Sequence, residues 1–279
     1  MRIAATKTRK GVKDLSNMSR KRKKIGFALG AGGSRGVAHI GFLKAMEEAG
    51  IKADYVSGCS MGSVIGAAYA SGMPVDEMKH ATNKLKFFDL FSFAGVPGGL
   101  IGTQKMRSLL VRHLGDIQFS DLKLPFACVA TDMITQKLVE MQSGKVVDAV
   151  VASSSIPTIF TPTIRDGQRL IDGGILERVP VKLAKKMGAD VVIAVDVLGK
   201  RPVREKCPGA MAMLLDVIDL MDNQNTKRYK QDNKSIIDLW IEPDLGSMSQ
   251  YTFKNLEYAY EQGYIAGKEN LKKIQEIIA

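Results

Sequence analysis

The chain has 279 residues, 45% hydrophobic and 25% charged, which is enough apolar material for one large α/β domain, while no apolar run reaches the length of a membrane span. Its net charge of +11 is unevenly placed: residues 1 to 24 hold ten Lys or Arg against Asp14, so the rest of the chain carries only +2. The near-neutral body argues against a nucleic-acid-binding domain, and the basic segment has no aromatic residue on which bases could stack, so no nucleic-acid partner is expected.

In chain order, residues 1 to 23 read as a solvated, disordered tail, or as a tether to anionic lipid in which each basic residue contributes about 1 kcal/mol. A single domain is expected over residues 24 to 279. No continuous apolar segment follows the basic start, and Cys59, Cys128 and Cys207 match no metal pattern. A cytoplasmic protein is expected, peripheral at the inner membrane face if the tail binds lipid.

Lys24 to Leu29 predicts a buried strand that leads into Gly30-Ala31-Gly32-Gly33-Ser34-Arg35-Gly36, after which Val37 to Ala49 has helical periodicity. A glycine-rich turn at a helix N-terminus offers backbone amides and the positive dipole end to an anion. A dinucleotide pyrophosphate is one such anion, but it needs an acidic residue capping the next strand, and Asp54 lies at that strand's wrong end. The oxyanion of an acyl-transfer intermediate is the other.

Ile51 to Ser57 predicts a strand ending in Gly58-Cys59-Ser60-Met61-Gly62, and Ser63 to Ala70 a small-residue helix. A nucleophilic serine on a strand-to-helix elbow requires this context, with small residues on both sides where backbone meets backbone. Cys59 is a nucleophile on paper, yet the elbow presents its central residue, Ser60. The aromatic run Phe87 to Phe93 and the glycine-rich run Ala94 to Leu100 fit either a helix end plus a loop or an apolar flap that receives an acyl chain.

Further on, the pattern predicts a helix over Thr103 to Leu114, a strand over Phe126 to Thr131, a hairpin-like Lys137 to Met141 and a helix from near Val146. Asp166-Gly167 marks a turn before the strand that ends in Leu170-Ile171-Asp172-Gly173-Gly174. A helix over Val181 to Met187, a strand over Val191 to Val197, a helix across Met211 to Gln224, a strand over Ile236 to Ile241 and a helix from Phe253 complete the chain. In the last helix, Tyr258, Tyr260, Tyr264 and Ile265 fit either sheet packing or an interface. Met73, Met78 and Met106 read as core fillers. The alternation predicts a three-layer α/β sandwich around a mostly parallel sheet.

A base for Ser60 is harder to find among His39, His80 and His113, the chain's three histidines. The order serine, acid, histidine would require a strand-end acid before His113, and no convincing one exists. His39 alone precedes Ser60 and falls inside a predicted helix. Asp172 is an alternative: a carboxylate at a strand end beside a flexible turn can act as general base if it comes within reach of the hydroxyl. The same residues also fit an ordinary Asp-Gly turn.

Taken as a set, the glycine-rich loop ending in Arg35-Gly36, the Gly58 to Gly62 elbow and the Asp172-Gly173-Gly174 turn resemble the patatin-like phospholipases, serine acyl hydrolases with a Ser–Asp dyad. Gly36-Val37-Ala38-His39-Ile40-Gly41 is similar to the compact bacterial members, and the resemblance extends over roughly residues 24 to 200. It implies Ser60 as nucleophile and Asp172 as its base, with oxyanion amides from Gly32, Gly33 and Ser34. Arg35 would brace the loop, Gly36, Gly58, Gly62, Gly173 and Gly174 would support the turns, and His39 would be structural. It also implies a lipid ester substrate, phospholipid or lysophospholipid, with no metal and no organic cofactor. A non-catalytic lipid-binding or regulatory protein that keeps the fold is the alternative, and a dinucleotide-binding oxidoreductase is third. Ala31 departs from the glycine of the G-x-G-x-x-G form, and Glu177-Arg178 stands where many relatives carry uncharged residues, which bears on substrate preference.

Overall fold

The computed structural model describes residues 22–83, 101–157, 159–199 and 209–279. The expectations for the basic tail through residue 21, for the flap over residues 87–100 and for Cys207 fall outside these residues. In chain order the elements are β1 (Ile25–Leu29), α1 (Ala38–Glu48), β2 (Tyr55–Gly58), α2 (Met61–Ser71), α3 (Val75–Asn83), α4 (Gln104–Leu114), β3 (Phe126–Asp132) and β4 (Lys137–Met141). They continue with α5 (Val146–Ser153), β5 (Thr163–Arg165), β6 (Gln168–Asp172), α6 (Val181–Lys186), β7 (Val191–Val195), α7 (Ala210–Asp232), β8 (Leu239–Ile241), α8 (Leu256–Glu269) and α9 (Leu271–Ile278).

β1 (IGFAL) and β7 (VVIAV) carry no polar side chain because both faces of the sheet are covered there. In β1, Ile25, Phe27 and Leu29 enter one core and Ala28 the other; in β7, Val191, Ile193 and Val195 enter the first, Val192 and Ala194 the second. Strands β3, β2, β1, β7 and β8 run parallel, as the alternation of strands and helices predicts. The sheet is thus mostly parallel, as expected, and the remaining strands add an antiparallel part at one side. β4, β5 and β6 join antiparallel, giving an eight-stranded mixed sheet in the order β5-β6-β3-β2-β1-β7-β8 with β4 paired to β3. β5 and β6 form a hairpin whose two-residue turn, Asp166-Gly167, has φ of 49° and 78°, the paired positive φ of a tight hairpin turn.

The register on β3 brings two distant segments together. Cys128 pairs with Gly58 of β2 and with Met141 of β4, so these two strands lie on opposite edges of β3. Ala130 pairs with Val139 of β4 and with Asp172 of β6, so β6 also lies opposite β4. β2 and β6 therefore share one edge of β3, end to end, and their C-terminal ends converge on Val129. A Cβ at Gly173 would stand 2.5 Å from the Val129 carbonyl oxygen, which reserves the position for glycine.

Helices α1, α2, α5 and α8 cover the first core, α6 and the second half of α7 the other. The last long helix packs on α1 rather than standing free: Gly41 and Gly263 sit so close to the opposing backbones of Tyr260 and Ala38 that a Cβ at either would collide. Met78 and Met106 are core residues and Met73 packs against the core. Several boundaries differ from the predicted ones. α7 runs to Asp232, its polar second half being held by tertiary bonds rather than by an apolar period, and α3 has no counterpart among the predicted elements. Among the described residues no helix is long and apolar enough to cross a membrane.

Candidate active site

Ser60 caps the N-terminus of α2 with φ 51° and ψ −123°, a conformation that costs a non-glycine residue about 1 to 3 kcal/mol and persists only where its surroundings impose it. They do so here through backbone contact. The Cys59 amide donates to the Leu29 carbonyl at 3.0 Å, and the Ser60 carbonyl accepts from the Ser63 and Val64 amides at 2.8 and 3.1 Å. A Cβ at Gly58 would lie 2.6 Å from the Gly62 carbonyl oxygen, and one at Gly62 would strike the Leu29 carbonyl. The Ser60 amide donates to Ser153 Oγ at 3.0 Å.

Asp172 meets this elbow from the other half of the shared β3 edge. Its Oδ1 accepts the Gly174 amide at 2.8 Å and the Cys59 thiol at 3.7 Å, and its amide donates to the Ser155 carbonyl at 2.9 Å. Burial pushes its carboxyl from 3.8 up to about 6, opposed by hydrogen bonds from Ser60, Gly174 and Cys59 and reinforced by the negative charge of Asp222. The structure thus brings Ser60 and Asp172 together. The tract Ser153 to Ser155, at the end of α5, anchors both of them, a role that sequence reasoning missed and for which three consecutive serines after an apolar helix give only a faint signal.

The glycine-rich loop lies beside the elbow. Its Gly30 and Ala31 amides donate to Val195 and Arg178 carbonyls, each at 3.0 Å. Gly33 has φ 50°, and a side chain there would strike the Gln250 carbonyl. Ser34 corrects one expectation. Its amide donates to the Gln250 carbonyl at 3.0 Å and its hydroxyl to the Ser249 carbonyl at 3.0 Å, so it is not a free oxyanion donor. No carbonyl or side chain among the described residues takes the Gly32 and Gly33 amides. Arg35 is buried, with Nη1 3.4 Å from the Met248 carbonyl, and braces the loop. The segment 248–250 that seats the loop was not foreseen, since nothing in its residue types marks it.

The remaining sequence candidates fall elsewhere. His39 is fully buried, and its Nε2–H donates to the Gly30 carbonyl at 2.8 Å; burial lowers its pKa to about 4, so it is neutral and structural. His80 and His113 are exposed on α3 and α4. Burial, with Asp172 alongside, raises the Cys59 thiol well above its ordinary value, so it is no thiolate nucleophile. Asp54 pairs with Arg22 and accepts the Ile25 amide at 2.8 Å, at the opposite end of the sheet from the glycine-rich loop. The Glu177-Arg178 pair is buried. Tyr229 donates to Glu177 at 2.7 Å, and Arg178 pairs with Asp196 and Asp222 at 2.7 and 2.8 Å.

Comparison with known proteins agrees with this geometry. The model of the family described as patatin-like phospholipase matches residues 27–185. An NTE family protein of Mycobacterium tuberculosis is 33% identical over 198 residues, 69% of this chain and 55% of that protein. A lysophospholipase of Emericella nidulans is 30% identical over 287 residues, 90% of this chain and 18% of that protein. The chain thus spans about half the length of the first relative and far less of the second. The crystal structure of VipD from Legionella pneumophila shares the fold, with a TM-score of 0.60 at 12% identity over 92% of this chain and 67% of that one. With the elbow, the glycine-rich loop and the aspartate turn all inside or beside the matched segment, the chain belongs to the patatin-like phospholipase family.

Proposed function

We propose that this protein is a serine acyl hydrolase that cleaves carboxylic esters of phospholipids or lysophospholipids, with Ser60 as nucleophile and Asp172 as general base. The observation that carries this reading is a backbone-strained serine at a helix N-terminus beside a buried carboxylate whose raised pKa that serine's side chain helps to hold down. Ser60 Oγ attacks the ester carbonyl carbon while its proton passes to Asp172, and the Gly32 and Gly33 amides receive the oxyanion, each donor lowering the barrier by about 3 kcal/mol. Collapse expels the alcohol, which takes the proton back, and Asp172 then draws a proton from the water that cleaves the acyl-enzyme. The fungal relative is named a lysophospholipase, which supports the choice of substrate class. The buried free thiols Cys59 and Cys128 suit a reducing, cytoplasmic setting.

Labelling with a fluorophosphonate ester probe tests the proposal. The wild type should be labelled, Ser60→Ala should not, and Asp172→Asn should be labelled far more slowly. Labelling that persists in Ser60→Ala, or that never occurs with folded wild type, would favour a lipid-binding protein that keeps the fold.

A further inference from the structure

Helix α7 wears an apolar stripe on the side facing solvent. Met213, Leu214, Val217, Leu220 and Met221 are 43% to 61% exposed, and at 100° per residue they fall within an arc of about 120° on one face of the helix. Five large apolar side chains left together in water are unlike the scattered exposed residues of an ordinary surface. Further along the same face, the exposed Arg228 continues the centreline of the stripe and Lys227 stands at its margin. Asp219 and Asp222 point off this face and Asp216 lies just outside the margin that Lys227 marks, while the exposed Asp232 stands at the other margin in line with Leu214, so Arg228 is the charge at the centre of the stripe.

The opposite face of α7 is fixed to the candidate active site. Asp219 accepts from Gln250 Nε2 and Tyr251 OH, both at 2.7 Å, and the Gln250 carbonyl in turn holds the Ser34 amide of the glycine-rich loop. Asp222 and Asn223 both take Arg178 Nη1, at 2.8 and 2.6 Å, and the Arg178 carbonyl holds the Ala31 amide. The helix also packs against the Gly173–Ile175 turn that follows Asp172.

We propose that the exposed face of α7 is a docking surface for anionic lipid, seating the protein on a bilayer or micelle with the Ser60 site beside the contact. The choice of a lipid surface rests on the acyl-hydrolase reading above, because a lipid ester must leave an aggregate to reach Ser60. Charge selects the kind of surface. An apolar stripe that runs into Arg and Lys on its own face is the pattern of a helix lying in an interface, its apolar side chains among acyl chains and its basic ones at anionic headgroups.

The test uses the full chain carrying Ser60→Ala, so that lipid binding is measured without hydrolysis, and compares it with the same protein carrying Leu220→Glu and Met221→Glu. Vesicles of phosphatidylglycerol and phosphatidylethanolamine should bind the first at least about tenfold more tightly than the second, and neutral phosphatidylcholine vesicles should bind both weakly. Equal binding of the two proteins to anionic vesicles would overturn the proposal and assign any membrane affinity to other basic residues such as the N-terminal segment. A separate Met221→Trp variant covers the case in which the double variant fails to fold. Acyl chains brominated near the headgroup should quench its emission well beyond that of the native Trp240, and unchanged quenching would also overturn the proposal. Loss of a wild-type dimer in the double variant, with vesicle binding intact, would make the stripe a self-association face instead. Absence of any ester hydrolysis by the wild type would sink the acyl-hydrolase reading and leave the vesicle result standing on its own.

Discussion

Replacing Asp172 by Asn should slow the reaction severely and, at neutral pH, make the protein more stable. Burial raises the carboxyl from 3.8 to about 6, so the folded chain holds this proton more tightly than the unfolded chain. Between those two values the folded state carries more protons than the unfolded one, and stability falls as pH rises through the window. The stabilising contribution is complete below 3.8 and lost above about 6. Above this window, a difference of about two pH units at about 1.4 kcal/mol each leaves the native state about 3 kcal/mol less stable than a neutral group would. Asn is neutral and nearly isosteric, and its carbonyl can keep the Gly174 amide, bonded at 2.8 Å in the native protein. Its NH₂ group fits the Ser60 and Cys59 donors poorly, which returns about 1 kcal/mol. The expected net gain at pH 8 is about 2 kcal/mol, or roughly 4 to 8 °C in melting temperature for a domain of this size. Calorimetry of wild type and variant at pH 8, 6 and 4 measures it, and the difference should shrink toward the acid end. A variant that melts below the wild type at pH 8, or a difference that stays constant down to pH 4, would refute the claim that Asp172 is a desolvated carboxylate poised as a base.

Ser153→Ala should strand the buried Ser60 amide, lowering stability by about 1 to 3 kcal/mol and reducing kcat more than it raises KM, as steady-state rates on a short-chain ester would show. Gly62→Ala forces a Cβ against the Leu29 carbonyl and should cost more than about 3 kcal/mol, which chemical denaturation would detect as loss of most of the cooperative transition. Arg178→Met leaves Asp196 and Asp222 without their buried cation and should destabilise the fold by about 3 to 5 kcal/mol at pH 7, with part of the loss recovered at lower pH as Asp222, whose pKa burial already raises, takes up a proton. The pH dependence of probe labelling should rise through an apparent pKa near 6 in the wild type. Cys59→Ala removes a hydrogen bond to the carboxylate and should move that value up, whereas Asp222→Asn removes a nearby negative charge and should move it down; shifts of the same sign would contradict the account of Asp172.

The parts of the molecule that depend on neighbours along the chain are legible in its sequence. The strand, glycine-rich turn and helix of residues 24 to 49, the elbow at Ser60 and the Asp166-Gly167 turn are all written in short patterns whose physics is local. Asp172 can be nominated from such a pattern, because a carboxylate beside two glycines at a strand end stands out. Its direction of approach cannot be. The antiparallel entry of β6 and its sharing of one edge of β3 with β2 depend on a register between segments about forty residues apart in the chain, and no periodicity within β6 encodes that. The reading of Ser34 as an oxyanion donor fails for the same reason. Its amide is taken by Gln250, more than two hundred residues later, and only the folded chain brings that carbonyl into place. The stripe on α7 is misleading in sequence because an apolar period normally reports a buried face, and here the buried face is the one carrying Asp219 and Asp222.

The absence of a histidine from the candidate pair becomes intelligible once the environment of Asp172 is considered. A solvated aspartate near 3.8 is too weak a base to take a serine proton at neutral pH, whereas an imidazole near 6.5 is the usual choice. Burial closes most of that gap by bringing Asp172 to about 6. The same burial carries a hazard, because a carboxylate with no partners would rise further and remain protonated at working pH. Hydrogen bonds from Ser60, Gly174 and Cys59 hold it back, and Asp222 acts in the opposite sense. These partners are available only because β6 ends where β2 ends, on the same edge of β3: Gly174 lies two residues beyond the base, Cys59 precedes the nucleophile, and a Cβ at Gly174 would lie 4.0 Å from the Cys59 sulfur. The topology that brings the carboxylate beside the elbow therefore also supplies the donors that keep it ionised.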